Sequence, residues 1–243
     1  GGQYDVQLGK IIYTQFLNDK AGIEADVTVT RMSETGYLVV TPAASRLADQ
    51  TWMLRHKGDF NVVINDITSS EGVLAVMGPN ARNLLETVSP NDFSNAKNPF
   101  GTSQEIEIGM GLARAHRVTY VGELGWEIYV SSDMAGHVFE TLWDAGQSQN
   151  AKLCGMHMMD SCRIEKGFRH FGHDITCEDH VLEAGLGFAI KTDKADFIGR
   201  DAVLRKKDAG LNMRLLQFKL MDAEPLLYHN ETVLRDGKIV GYL

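Results

Sequence analysis

Two glycines interrupt a strand-forming stretch at residues 120–130, and this interruption constrains the fold more than any other feature of the sequence. Gly122 and Gly125 separate a run that ends at Tyr120 from a run that begins at Trp126, and both runs are rich in β-branched and aromatic residues. Glycine adopts the backbone angles that turns between strands require. The pattern therefore predicts a β-hairpin whose tight turn brings the Tyr120 phenol and the Glu127 carboxylate near one cavity.

Glu127 lies among large apolar neighbours in the sequence. A charged carboxylate in such surroundings must find hydrogen-bond donors or change its protonation state. A flat heterocycle that presents a ring N–H and an amino group would suit it. The residues alone leave a second interpretation open, an ordinary hairpin in which Glu127 faces water.

Charge and cysteine content exclude several classes of protein. The chain has 243 residues and a net charge of −8, with no basic stripe, which argues against nucleic-acid binding. Its apolar runs are too short to span a bilayer, so no membrane association is expected. The three cysteines, at positions 154, 162 and 177, form no C-x-x-C pair. They indicate free, buried thiols and a reducing compartment, the cytoplasm or, in a eukaryote, the mitochondrial matrix.

The first half of the chain predicts strands and helices in mixed order. Alternation predicts a three-stranded antiparallel meander at residues 9–17, 23–31 and 36–40, in which Val27 and Val29 face away from Asp26. Further strands are predicted at 61–64, 73–77, 105–108 and 112–120, and helices at 43–56, 81–87 and 134–145. Because strict βαβ alternation is missing, the predicted class is α+β.

A polar helix and loop follow at residues 155–174. Asp160 and Arg163 are spaced to form an ion pair on the helix. His170 and His173 suggest a metal site, but no third ligand completes the pattern, so no metal is predicted. Nothing favours a Ser/His/Asp triad either, since no G-x-S-x-G motif is present.

The last fifty residues change character. They predict a short helix at 196–207, a strand at 213–220 and a hairpin at 232–240 with Asp236 and Gly237 in its turn. A strand is already under way at residues 9–17, and the chain stops at 241–243 in a strand pattern, so we expect a fragment of a larger protein. No G-x-G-x-x-G follows a strand, so no FAD-binding domain is expected within these residues.

Six segments in fixed order carry a resemblance to a known family: Tyr-Thr-Gln at 13–15, Gly-Ile-Glu-Ala-Asp-Val-Thr-Val at 22–29, and the stretches 120–127, 160–167, 182–186 and 196–200. The chain resembles the folate-binding, aminomethyltransferase-like family, which includes the glycine cleavage T-protein and the C-terminal halves of sarcosine and dimethylglycine dehydrogenases. The resemblance implies the α+β aminomethyltransferase folate-binding fold at residues 1–192, N-terminally incomplete. An incomplete C-terminal β-barrel is expected to follow at 193–243.

The resemblance also implies roles for four residues. Asp26 matches the catalytic acidic residue at the reactive edge of the pterin, and Tyr13 and Tyr120 match aromatic residues that position the folate. Glu127 matches the carboxylate that receives hydrogen bonds from the pterin ring N–H and exocyclic amine. The implied activity is transfer of a one-carbon unit from a small amine or iminium donor to tetrahydrofolate. FAD enters only if a further N-terminal domain exists.

Motif details favour the dehydrogenase branch of the family. Gly-Glu-Leu-Gly-Trp-Glu at 122–127 stands where T-proteins typically have T-G-E-D-G, and Met159 replaces the T-protein arginine that contacts the folate tail. The alternatives are a glycine cleavage T-protein, a folate-binding module without catalytic activity and, less favoured, a sulfonium demethylase. The sequence does not indicate the amine donor or the oligomeric state.

Overall fold

The structure is a computed structural model that describes all 243 residues, Gly1–Leu243. The strands are β1 (Ile11–Leu17), β2 (Ile23–Arg31), β3 (Tyr37–Val40), β4 (Glu71–Met77), β5 (Ser103–Ile108), β6 (Gly111–His116), β7 (Gly125–Ser131), β8 (Thr232–Arg235) and β9 (Lys238–Tyr242). The α-helices are α1 (Arg46–His56), α2 (Ala81–Val88), α3 (Ala135–Gln147), α4 (Met156–Glu165) and α5 (Arg200–Ala209). The strands form three antiparallel sheets, β1-β2-β3, β4-β7-β6-β5 and β8-β9. The predicted α+β class is confirmed.

The first sheet is the predicted meander. Its register places Gln15 opposite Asp26 and Tyr13 opposite Thr28, so these side chains share one face. Val27 points to the other face and is buried. The alternation in β2 thus brings polar side chains from two strands together.

The second sheet has one apolar and one polar face. Trp126, Ile128 and Val130 of β7 belong to a buried cluster that includes residues of α2 and α3. Trp126 meets Phe93 edge to face, with ring centroids 5.4 Å apart, and its indole N–H donates to Asn98. Because side chains alternate along a strand, Glu127 and Tyr129 lie on the opposite face.

The predicted tight hairpin at 120–130 is wrong in its first strand. β6 ends at His116, and residues 117–124 form a loop before β7 begins at Gly125. The backbone of Arg117 pairs with the chain at Gly101 and Thr102, which draws it away from β7. Gly122 adopts φ 77°, and a side chain there would clash with Lys166. The glycines therefore serve a loop that passes close to α4.

Two other strand predictions are wrong, and the expected partial barrel is not confirmed. Residues 61–64 form no strand, and neither do residues 213–220. Glu183 holds the second segment, since its carboxylate and its carbonyl oxygen accept from the backbone N–H groups of Met213 and Leu215. Only the hairpin β8–β9 follows, with Asp236 and Gly237 in its turn as predicted.

The ion pair predicted on α4 is confirmed and extends further. Nε of Arg163 lies 3.1 Å from Oδ1 of Asp160, and its Nη1 donates to Asp174. Asp174 also accepts from the backbone N–H of His170. The buried Arg163 thus ties α4 to the loop that follows it.

Two remaining expectations concern the cysteines and the bilayer. All three cysteines are free, as predicted, but Cys154 and Cys177 are exposed, so the expectation that the thiols are buried was wrong. None of the helices has the length and apolar character needed to cross a membrane.

Candidate functional site

Asp26 on β2 is held by two side-chain donors. Tyr13 Oη donates to Asp26 Oδ2 at 3.0 Å, and Gln15 Nε2 donates to Asp26 Oδ1 at 2.7 Å. Both donors come from β1: Gln15 lies directly opposite Asp26, and Tyr13, which lies opposite Thr28, reaches the carboxylate diagonally. Burial raises the pKa of Asp26, and the two hydrogen bonds and the charge of Arg169 oppose that rise. The result is a positioned carboxylate that can accept a proton more readily than an exposed one.

Tyr13 connects Asp26 to an apolar cavity. Burial, reinforced by Asp26, raises the pKa of the Tyr13 phenol, so the hydroxyl remains a donor at neutral pH. The Tyr13 ring stacks on Phe188, with centroids 6.1 Å apart and an interplanar angle of 26°. Both rings line a cavity of about 300 Å³ that also contacts the N-terminal segment.

Tyr120 lies in the 117–124 loop and contacts the segment that follows α4. Its hydroxyl donates to the carbonyl oxygen of Arg169 at 3.1 Å, and its ring stacks on Phe168. Burial raises the pKa of the Tyr120 phenol. Tyr120 and Glu127 have separate hydrogen-bond partners, and their placement near one cavity stays a prediction.

Arg169 is a functional candidate that the sequence did not indicate. Its guanidinium donates to three carbonyl oxygens, at 2.9 Å to Gly167, 3.1 Å to Ala184 and 3.2 Å to Gly185. No carboxylate pairs with it directly, and its charge acts on both Tyr13 and Asp26. Since these partners are distant in sequence, only the folded chain identifies Arg169.

Glu127 is partly buried on the polar face of the second sheet. Tyr129 Oη donates to Glu127 Oε2 at 2.7 Å, and no other hydrogen bond to this carboxylate is formed. Burial raises the pKa of Glu127, and the bond from Tyr129 opposes the rise. A carboxylate offers about four acceptor positions, so most of the capacity of Glu127 is free for a ligand that carries N–H donors.

The sequence did not indicate Gln15 and Tyr129 as site residues, although the alternation of side chains along a strand could have identified both. Gln15 follows Tyr13 by two positions and Tyr129 follows Glu127 by two, so each pair shares a strand face. Gln15 is fully buried, and its Oε1 has no partner. No group of three or more His, Cys, Asp or Glu side chains is arranged to hold a metal ion.

The burial of Glu127 predicts that it lowers the stability of the protein without a ligand. A carboxyl whose pKa is raised by folding is penalised above that raised pKa, and the penalty vanishes below the unfolded value of 4.5. Glu127→Gln keeps the acceptor for Tyr129 and removes the charge, so its Tm at pH 7 should exceed that of the wild type. The difference should shrink as the pH falls towards 4, which thermal unfolding at several pH values will measure. A Tm difference that is independent of pH would contradict this explanation.

Comparison with known proteins places this geometry in context. A family model described as the GCVT N-terminal domain matches residues 2–194. The chain is 42% identical over 238 residues to 4-methylaminobutanoate oxidase (formaldehyde-forming) from Paenarthrobacter nicotinovorans, covering 98% of the chain and 29% of the oxidase. It is 33% identical to human mitochondrial dimethylglycine dehydrogenase, covering 94% of the chain and 27% of that protein.

An aminomethyltransferase from Caldanaerobacter subterraneus subsp. tengcongensis is 32% identical, covering 96% of the chain and 62% of the relative. The crystal structure of glycine cleavage system aminomethyltransferase T from Bartonella henselae superposes with a TM-score of 0.73 at 26% identity. That match covers 85% of the chain and 55% of the solved structure. The chain therefore spans less than two thirds of the length of each of these proteins.

Proposed function

Because the chain belongs to the GCVT N-terminal domain family, we propose that it binds tetrahydrofolate and promotes transfer of a one-carbon unit to it from a small amine or iminium donor. The observation that carries the proposal is the Asp26 carboxylate, partly buried and held by Tyr13 and Gln15. This arrangement suits a proton acceptor beside a reacting nitrogen. The likeness to a formaldehyde-forming oxidase of an N-methyl amine supports an N-methyl-derived donor.

The polar groups of the structure fit tetrahydrofolate. Glu127 has one side-chain donor and free acceptor positions, which match the ring N–H and exocyclic amine of a pterin. Two charge-assisted hydrogen bonds would offset the burial of its charge. Tyr13 and Tyr120 present aromatic rings that could pack against the flat ligand.

When bound, tetrahydrofolate supplies the nucleophilic nitrogen that takes up the one-carbon unit. Asp26 accepts the proton that this nitrogen releases and stabilises the positive charge that develops there. Tyr13 and Gln15 fix the orientation of the carboxylate through their hydrogen bonds. Arg169 favours the ionised form of Asp26 and therefore keeps it available as a base. Much of the acceleration should come from holding the two reactants together.

The relatives define the setting of the proposal. The iminium donor would come from an amine-oxidising flavin centre outside these 243 residues, as in a sarcosine or dimethylglycine dehydrogenase-like protein.

The division into residues 1–192 and 193–243 also remains a proposal. The exposed hairpin β8–β9 supports a second unit, whereas Ala202 and Val203 of α5 pack with the first. A glycine cleavage aminomethyltransferase is less favoured, since Met159 replaces an expected arginine and the chain is 42% identical to the oxidase but 32% identical to the aminomethyltransferase.

Calorimetric titration with tetrahydrofolate or its stable analogue 5-formyltetrahydrofolate tests the proposal. We expect saturable binding with a stoichiometry of one. A folded sample that binds neither compound would overturn the proposed function. Binding without any effect on one-carbon transfer would instead favour a folate-binding module that has no catalytic activity.

A further inference from the structure

The polar face of the second sheet carries more buried polar groups than the roles above use. In register across β6 and β7, His116 lies opposite Glu127 and Arg114 lies opposite Tyr129. Arg114 Nη2 donates to both carboxylate oxygens of Glu71 at 2.5 Å, so these two charges are paired, although Arg114 Nε is buried without a partner. Tyr129 donates to Glu127. Within this group, the imidazole of His116 has no comparable partner.

His116 is almost completely buried, with 1% of its surface exposed. Its side chain makes no hydrogen bond, and its buried Nε2 has no partner. The ring packs on Tyr129, with centroids 4.3 Å apart and an interplanar angle of 36°. Directly opposed residues on antiparallel strands have Cβ atoms about 5 Å apart, so His116 and Glu127 are immediate neighbours. Leaving a buried polar atom unpaired is unfavourable, and a ligand that binds Glu127 could provide the missing partner.

His116 is neutral in this environment. Burial, reinforced by the charge of Arg114, lowers the pKa of His116 to about 4. A neutral imidazole has one N–H donor and one acceptor nitrogen. It can therefore donate one hydrogen bond beside the carboxylate of Glu127, which only accepts.

We propose that His116 is a second recognition residue for the heterocycle, and that its Nε2–H donates to a ligand acceptor beside the two N–H groups bound by Glu127. The inference rests on the proposed function. In a 2-amino-4-oxopteridine, the amino group and the ring N–H lie between a ring nitrogen and a carbonyl oxygen, both of which are acceptors. A donor placed next to the carboxylate is therefore complementary in either orientation of the ring. Glu127 and His116 together would form hydrogen bonds with three consecutive groups on the edge of the ligand: the amino group, the ring N–H and one adjacent acceptor.

The test compares three variants in calorimetric titrations with 5-formyltetrahydrofolate. His116→Ala removes the ring, and His116→Phe keeps a ring that can pack on Tyr129 but has no N–H. Both should bind roughly 3- to 10-fold more weakly than the wild type, the size of one net hydrogen bond. His180→Ala is the matched control, because His180 Nε2 is also buried without a partner, while Nδ1 accepts from Leu182 in a different part of the fold. It should bind like the wild type.

Nitrogen NMR of the ¹⁵N-histidine-labelled protein provides a direct readout. Saturation with 5-formyltetrahydrofolate should shift the ring nitrogen signals of one histidine, and those signals should be missing in both His116 variants. Wild-type affinity in folded His116→Phe, or unchanged His116 signals on saturation, would overturn the inference and leave the proposed function intact. Failure of the wild type to bind would overturn both.

Discussion

Asp26→Asn should reduce the rate of one-carbon transfer to tetrahydrofolate by roughly 10²–10⁴-fold, the usual contribution of a positioned acid or base. Asparagine keeps the shape of the side chain, and its carbonyl oxygen still accepts from one of the two groups, Tyr13 and Gln15, that hold Asp26 on the sheet. It cannot take up the proton that the reacting nitrogen releases. Affinity for tetrahydrofolate should change little, since the proposed contacts to the pterin edge lie at Glu127.

The measurement follows conversion of tetrahydrofolate to methylenetetrahydrofolate, with an iminium formed from formaldehyde and a small primary amine as donor. The uncatalysed rate is subtracted. Glu24→Gln is the matched control, because it removes a carboxylate from the same strand that accepts from Asn18 and forms no hydrogen bond with Tyr13 or Gln15. Its rate should match the wild type. Equal rates for Asp26→Asn and the wild type would remove Asp26 from the chemistry.

The pH dependence of the rate provides a second test of the same role. The base acts in its ionised form, and burial raises the pKa of Asp26 above the ordinary 3.8. The wild-type rate should therefore fall as the pH decreases through that raised pKa, while binding persists. Asp26→Asn should lack this limb of the profile. An identical acid limb in both proteins would assign the titration to another group.

The local sequence pattern was sufficient to predict the parts of the fold in which apolar and polar residues alternate along a strand or a turn has strong residue preferences. The meander β1-β2-β3 follows from such alternation, and the hairpin β8–β9 follows from the turn preference of Asp236 and Gly237. The hydrogen bond from Tyr13 to Asp26 depends on the register between β1 and β2. Alternation limits the possible registers but does not determine which one forms.

Contacts between distant segments decided what the sequence did not reveal. The pairing of Arg117 with Gly101 and Thr102 ends β6 early and converts the expected turn into a loop. Arg169 meets Tyr120 and the carbonyl groups of Ala184 and Gly185 only after folding. Local propensity carries no information about such partners, since tertiary contacts override it.

Glu127→Ala should weaken binding of 5-formyltetrahydrofolate by roughly 1.5–3 kcal/mol, the range for hydrogen bonds to a charged group. The variant removes the only carboxylate proposed to accept from the ring N–H and amino group of the pterin, and Tyr129 loses its acceptor as well. Calorimetric titration measures the change directly. Glu105→Ala is the matched control, since Glu105 pairs with Arg114 in register on the same sheet face but is exposed.

The two titrations separate recognition of the ligand from general loss of structure. Removing a partly buried carboxylate with a raised pKa should not destabilise the protein without ligand at neutral pH through the charge itself. Weaker binding in a variant that unfolds at or above the wild-type Tm therefore assigns the loss to missing ligand contacts. If Glu127→Ala and the control Glu105→Ala both bind 5-formyltetrahydrofolate with wild-type affinity, the pterin edge is bound elsewhere. Asp26 could still act as the base in that case, because its hydrogen bonds to Tyr13 and Gln15 do not involve Glu127.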